Sequence, residues 1–474
     1  MSNTNIKPQF VIKSAILTKD NPNFNKRSLE IDLTNSVLEL SIFESLDIPY
    51  LSGNMTVLDN DGIFSDMAFQ GTERIEFVLG TGDTENTTAI LNKRFILTGI
   101  QRKVKTNESG NASVFTFTLI DEHGFLGRVS KISKSYDGSL ERIVKNILQN
   151  ELGRQVDVAY TGALTEFDEQ SAQQDIKCII PNLTPIDAIK WLTSRITTDI
   201  GSPYFVYSTL VLPDLSGRGD ENKNVEDNEQ GNVIRLGNLD TMLQQKPFNI
   251  LPFRFSPNNT SNNLEPVARQ MIIKNMQIGK SSNTLELMEK GAVMSEYTNT
   301  DLGTGEMFTT KHTLSKQLRD LSTSDIIETE QDLAQDIIDI GFTLRDLSSD
   351  AYNAKKYHTI TSMGTYGNKK GYHDEVDENK FNLKVASRAI FLAMKKHPLT
   401  ITVEGVSILV GRAKVGDIIS LEIIGDNSNA TIQNESPLDS RYSGNYLIYN
   451  MRHVFAVGSH NVVMDVCKLE ARVI

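Results

Sequence analysis

Few residues in this chain stand in an arrangement that could do covalent or metal chemistry. Gly279-Lys280-Ser281 ends as a phosphate-cradling loop ends, but the glycine that would open such a loop is replaced by Lys274. Gly80-Thr81-Gly82 and Gly303-Thr304-Gly305 lack the third glycine of a dinucleotide site, and their sequence suits hairpin turns. Asp59-Asn60-Asp61-Gly62 resembles the start of a calcium loop, yet its glycine falls at the fourth position instead of the sixth, so an Asp-Gly turn accounts for it. The seven histidines form no His-Glu-x-x-His pattern, and the only cysteines are Cys178 and Cys467. Metal and thiol sites are therefore not expected, and the sequence calls for no cofactor. His453 and His460 straddle an expected hairpin and read as surface or rim residues. Abundant carboxylates could conceal a glycosidase pair, but a solvated face is the commoner use of acidic side chains. A Gly-x-Ser-x-Gly nucleophile elbow is lacking, and Arg218-Gly219-Asp220 sits in a Gly-rich acidic stretch where its match to an adhesion tripeptide carries little.

With the chemistry so sparse, the elements themselves become the main source of information. A length of 474 residues is enough for about three domains. A hydrophobic content of 39% with 23% charged residues suits a folded globular chain. No apolar run reaches the roughly 18 residues of a membrane span, and the polar start at Met1 to Phe10 is unlike a signal peptide, which leads to an expectation of cytoplasmic synthesis. Acidic residues outnumber basic ones, 60 to 48, for a net charge of -12. That balance disfavours tight nucleic-acid binding, because phosphate contacts depend on Lys and Arg.

Alternation of apolar and polar residues predicts strands at 36–42, 54–58, 74–79, 95–100 and 114–119, the last two paired as a long hairpin in an antiparallel barrel or sandwich. The period then changes. Leu140, Ile143, Val144, Ile147, Leu148 and Leu152 mark an amphipathic helix, and a second starts at Thr184 with Pro185 in its first turn and Asp187 near the positive end of its dipole. A small α/β unit is thus expected from about 128 to 211. Residues 213–232 read as a solvated acidic loop, and 238–257 as an ordered but irregular connector. Strands are expected again at 270–273 and 284–287. Helices are expected at 325–339, which holds six carboxylates and no Lys or Arg, and at 381–396, ahead of His397-Pro398. The last section is β, at 400–403, 417–424, 446–454 and 462–466.

The two β regions follow one order of events. A Gly-led strand, at Gly71 or Gly416, leads to an aromatic-led strand at Phe95 or Tyr446, and then to a closing strand at Val114 or Val462. Either the chain carries a duplication, or two antiparallel meanders share a general likeness. A duplicated barrel would let three copies build a quasi-sixfold ring.

Ser41-Ile42-Phe43-Glu44-Ser45-Leu46, Ile48-Pro49-Tyr50-Leu51-Ser52-Gly53 and Thr56-Val57-Leu58-Asp59 resemble the N-terminal signature of baseplate hub proteins from T-even-like contractile-tailed bacteriophages. Further similar segments follow in the same order. They are Phe69-Gln70-Gly71-Thr72-Glu73, Ser135 to Ser139, Ile180-Pro181-Asn182-Leu183-Thr184-Pro185, Gly201 to Phe205, Leu239 to Leu243, Val415-Gly416-Asp417 and Ser443-Gly444-Asn445-Tyr446-Leu447-Ile448 with Arg452-His453. The resemblance spans most of the chain, with 213–232 and about 321–379 as elaborations. It marks Phe43, Glu44, Pro49, Gly53, Asp59, Gly71, Pro181, Pro185, Gly416, Asp417, Gly444 and Tyr446 as structural motif residues.

The resemblance implies an α+β, mainly β fold. Two tail-tube-like antiparallel barrels (1–127 and 266–474) are joined by an α/β connector (128–265), and the chain assembles into a homotrimeric ring in the virion. The partners implied are the spike, tail tube, wedge and tape-measure proteins, with DNA passing through without specific binding. An acidic channel lining is expected, as are apolar interfaces beyond about 2,000 Å². Rival readings are a tail-associated peptidoglycan hydrolase, for which no motif speaks, and a type VI secretion hub. The latter would carry long Val-Gly repeats after the last strand, and their lack leads to an expectation that the spike is a separate polypeptide.

Overall fold

A computed structural model of the chain describes residues 10–19, 28–67, 69–81, 88–105, 112–151, 157–160, 176–194, 197, 202–210, 233–255, 270–278, 294–301, 305, 307–313, 355–361, 387, 398–405, 408, 413–424, 438–439 and 442–468. The fold is mainly β, as the alternation predicts, and most of it is one large sheet. The first half contributes β1 (Phe10–Lys19), β2 (Leu29–Asp32), β3 (Val37–Ser45), β4 (Ser52–Asp59), β5 (Arg74–Thr81), β6 (Thr88–Lys105) and β7 (Ser113–Asp121). Strict period-2 burial along β4 and β7 turns Met55, Val57, Phe115, Phe117 and Leu119 into a core with Leu40, Ile42, Ile75, Phe77 and Phe95. The short α1 (Ile63–Asp66) and α2 (Glu122–Leu126) follow strands, each started by a carboxylate. Asp59 accepts from the N–H groups of Ile63 and Phe64, and Asp121 from that of Gly124.

The connector contains β8 (Ser135–Gly138), α3 (Leu140–Asn146), β9 (Asp157–Tyr160), β10 (Ile176–Ile179), α4 (Pro185–Thr193), β11 (Tyr204–Ser208), β12 (Val233–Asn238) and α5 (Leu239–Leu243). Thr184 caps α4 through the Asp187 N–H, with Pro185 at its start, as expected. The helix expected to run on to Leu152 instead widens into a π-helical turn over Ile147–Glu151, which carries both Ile147 and Leu148 into the connector core.

The second half supplies β13 (Phe253–Phe255), β14 (Asn275–Ile278), β18 (Pro398–Glu404), β19 (Ile418–Ile423), β20 (Gly444–Ala456) and β21 (Ser459–Cys467), around its own core. Between β14 and β18 lies a separate three-stranded sheet of β15 (Met294–Asp301), β16 (Met307–Thr313) and β17 (Lys355–Thr361). The strand expected at 270–273 is displaced to β14. Ile272 forms only an isolated bridge to Arg254, and Ile273 is buried in the core, so the ladder to β18 starts after them. Gly80 and Thr81 lie in β5, paired with Ala89 and Thr88, and not in a turn. Gly279–Ser281, the loop 213–232, the strand 284–287, the helix 325–339 and all but Ser387 of the helix 381–396 fall outside the described residues.

Both halves share one strand order. The first runs β3-β4-β7-β6-β5-β1, the second β14-β18-β21-β20-β19-β13, and each strand corresponds to the one in the same place along the chain. They differ at one end, where β1 pairs antiparallel to β5 and β13 parallel to β19. The same bulge recurs: register slips between Leu97 and Gly99 in β6, and between Ile448 and Asn450 in β20. The halves are also hydrogen-bonded to each other, because β20 pairs antiparallel with β3.

Candidate functional site

The β20–β3 junction is where the chain concentrates its buried polar side chains. Arg452 faces Phe43 in register, its guanidinium carbon 5.5 Å from the ring centre, and reaches across to Ser41 Oγ (3.1 Å) and Glu39 Oε1 (3.3 Å). Glu44, only 1% exposed, accepts the Leu210 N–H at 2.6 Å and lies 3.5 Å from His453 Nε2. Because Leu210 follows β11, this one carboxylate links the connector to both halves.

His453 and His460 correct the sequence expectation. They are 0% and 2% exposed, not surface residues. Nδ1 of His453 lies 3.4 Å from Nε2 of His460, and the His460 ring stacks on Phe455 at 4.1 Å. The packing leaves no slack, since a Cβ added to Gly405 would stand 2.0 Å from His460 Nδ1. Sequence did hold the signal: His453 is in phase with Met451 and Phe455, and His460 with Val462 and Met464, all inward-facing.

Burial, then the neighbouring His453 and Lys274, pulls the His460 pKa down to about 2 from 6.5. Below pH 6.5 the unfolded chain takes up a proton that the folded one refuses. The stabilisation is therefore complete above pH 6.5 and is lost as pH falls, by up to about 1.4 kcal/mol per pH unit. Thermal melts from pH 7.5 to 5 are expected to show a steep fall below 6.5 that His460→Leu flattens. An unchanged slope in that variant would refute the assignment.

Arg235 on β12 is 4% exposed and donates to Thr209 Oγ1 at 2.9 Å. Burial draws its pKa down, opposed by Tyr207, Asp417 and Glu44. Asp417 pairs with Lys414 at 2.6 Å, and burial pushes its carboxyl up against that pairing. Sequence reading singled out neither Arg235 nor Tyr207, because their significance arises only where the connector enters between the two β units.

Four of the twelve motif residues, Phe43, Glu44, Gly416 and Asp417, gather at or beside this junction. Gly416 has φ +87°, and a Cβ there would meet the Tyr207 hydroxyl at 2.8 Å. Pro49 accepts from Ser208 Oγ through its carbonyl, and Gly53 lies in β4 beside the backbone of β3. The others hold local turns apart from the junction. Asp59 starts α1, Pro181 precedes left-handed Asn182, and Pro185 opens α4. Gly71 is left-handed beside Glu73, whose carboxylate accepts from Gln70, Gly71 and Thr72. Gly444 begins β20, and the Tyr446 hydroxyl donates to the Tyr442 carbonyl.

Among the described residues no cluster of three or more His, Cys, Asp or Glu could hold a metal, and no helix is long and apolar enough to cross a membrane. Both cysteines are buried thiols, and burial pushes that of Cys178 up to about 11. The junction brings together buried polar contacts and backbone ladders, an arrangement that fixes geometry.

By fold this is a mainly β protein of two repeated antiparallel units on one sheet. No protein-family model and no curated protein matches the sequence. Solved structures similar to it include a tail protein from Neisseria meningitidis MC58, at 11% identity and TM-score 0.46 over 97% of this chain and 96% of that one. The 43 kDa tail protein of prophage MuSo2 from Shewanella oneidensis gives 10% and 0.47 over 98% and 99%. A component of the E. coli type VI secretion system gives 8% and 0.39 over 91% and 73%. At these scores the likenesses carry no argument about activity or partners.

Proposed function

We propose that this chain is a structural, non-enzymatic hub of a contractile phage tail. It forms a homotrimeric ring that adapts a threefold spike to a sixfold tail tube and surrounds the passage for DNA and tape-measure protein. The observation that carries this reading is the repeated strand order fused at β20–β3, which puts two quasi-equivalent units in each chain, so that three chains present six. The motif resemblance supports the same reading. The units correspond to tube-like barrels at 1–127 and 266–474, with β13 joining the second, and to the connector at 128–265. Partners are further copies of the chain and the spike, tube, wedge and tape-measure proteins, in the virion baseplate.

The solvent face of the shared sheet bears on the passage of DNA. Across β18, β21, β20, β3, β4 and β7 it carries hydroxyls and amides such as Thr400, Asn450, Asn54, Thr56, Thr116 and Thr118. Its charges are largely compensated: Arg452 pairs with Glu39, and Asp465 accepts from Thr400 Oγ1 at 2.7 Å and Asn450 Nδ2 at 3.2 Å. Among the described residues these strands do not carry the acidic lining expected from the net charge. If the face lines the channel, DNA slides because, among the described residues, these strands carry no Lys or Arg cluster, with repulsion adding little.

Light scattering of the purified protein at micromolar concentration is expected to give three chains, and negative-stain images a threefold ring of six-lobed outline. A monomer throughout overturns the reading. Duplex DNA at low salt is expected not to be retained by the ring.

A further inference from the structure

Among the described residues two edges of the shared sheet match each other, and the chain already contains the joint that would close them. On its β5 side, β6 has no strand partner beyond Leu97 among the described residues, and β14 pairs only with β18. In the same places on the other unit, the second half of β20 pairs with β3. The recurring bulge fixes the correspondence between units. Arg102 stands opposite Thr116 on β7 as Arg452 stands opposite Val463 on β21, β6 containing one extra residue at Gln101. Ile278 stands opposite Leu399 on β18 as Ile42 stands opposite Gly53 on β4, which in turn matches Met276 to Leu40, Gln277 to Ser41 and Asn275 to Glu39.

The chemistry follows that correspondence. Arg452 crosses the existing joint to Ser41 and Glu39, and an arginine, Arg102, occupies the same position on the open edge. Opposite it, Gln277 and Asn275 supply side-chain oxygens where Ser41 and Glu39 stand. On β14 the apolar positions agree as well, with Ile278 in place of Ile42 and Met276 in place of Leu40, while on β6 Lys103 and Lys105 stand where β20 has His453 and Phe455. Ile100, Val104 and Ile278 are exposed by 43%, 38% and 50%, although their counterparts on β20 and β3 are covered by the joint or by the sheet. Unpaired edges of this length invite strand addition.

We propose that β6 of one copy adds to β14 of the next as an antiparallel pair, in the register that places Lys103 opposite Ile278, Val104 opposite Gln277 and Lys105 opposite Met276. The occupant of each edge is thus a second copy of this chain. The interface is head-to-tail, the kind that gives a ring with a continuous sheet when the rotation between copies closes, as the hub reading requires. Arg102 bonds Gln277 and Asn275 of the next copy, reproducing the Arg452 contacts. This inference rests on the hub reading and specifies how its ring is joined.

The test is cysteine cross-linking of the full chain. Directly opposed residues in an antiparallel pair have Cβ atoms about 4.5–5.5 Å apart, near enough for a disulfide to form with small adjustment. Val104→Cys with Gln277→Cys is expected to link chains into covalent multimers under mild oxidation. Ser41→Cys with Val454→Cys, the same pair at the existing joint, is expected to close within one chain without raising its mass. Lys103→Pro, whose missing N–H would face the open side and not β7, is expected to change the melting profile little and to raise the concentration for half-assembly more than tenfold. If the protein assembles but V104C/Q277C stays unlinked and K103P assembles normally, the edge pairing is overturned and the hub reading stands. A wild-type protein that is monomeric and whose V104C/Q277C variant stays unlinked overturns both.

Discussion

Gly53→Ala is expected to cost about 3 kcal/mol or more of stability, at the upper end of what overpacking does. The new Cβ would stand 2.5 Å from the backbone oxygen of Ser41, and Leu119 Cβ at 3.6 Å closes the other direction. A flexible side chain could yield, but a strand backbone cannot move without losing its ladder. Ser41 lies on β3 between β4 and β20, so any retreat of β3 also disturbs the junction opposite Val454. Thermal and urea denaturation followed by circular dichroism measures the loss. Gly99→Ala is the control, because a Cβ there meets nothing within 4 Å. Equal stabilities for the two variants would show that β3 can shift freely.

The second large effect is expected at Glu44. Glu44→Ala leaves the buried Leu210 N–H without its acceptor and opens a void beside His453, at a cost of about 3 kcal/mol. Glu44→Gln keeps an oxygen at that point and is expected to lose less than about 1 kcal/mol. The contrast separates hydrogen bonding from charge. If Gln proves as damaging as Ala, the negative charge beside His453 and Arg235 is what matters. Because Glu44 ties β11 to β3 and β20, Glu44→Ala is also expected to weaken assembly, readable as a lower scattering mass at equal concentration.

Much of the fold was legible in the sequence because its strands are half-buried and its helix starts are capped locally. Alternation located β3, β4, β5, β6, β7 and β18–β21, and Thr184-Pro185 located α4. The short α1, α2 and α5 escaped because each is about one turn long, too short for a period to register, although Asp59, Asp121 and Asn238 supply their first hydrogen bonds. The apolar run at 270–273 misled because a buried isoleucine serves a core equally well from a crossing segment as from a strand. His453 and His460 face inward because the phase of the strands that carry them, and not their place beside a hairpin, sets the face each side chain takes.

The sequence alone determined the mainly β character, the repeat of a Gly-led, aromatic-led and closing strand, and the scarcity of catalytic patterns. These depend on neighbouring residues, and side-chain alternation records them directly. The pairing of the two units through β20 and β3, the place of Glu44 between three parts of the chain and, among the described residues, the two matching edges without a strand partner belong to the three-dimensional fold. The contacts that make them join residues 166 to 411 positions apart, and no local periodicity encodes which strand edge will meet which.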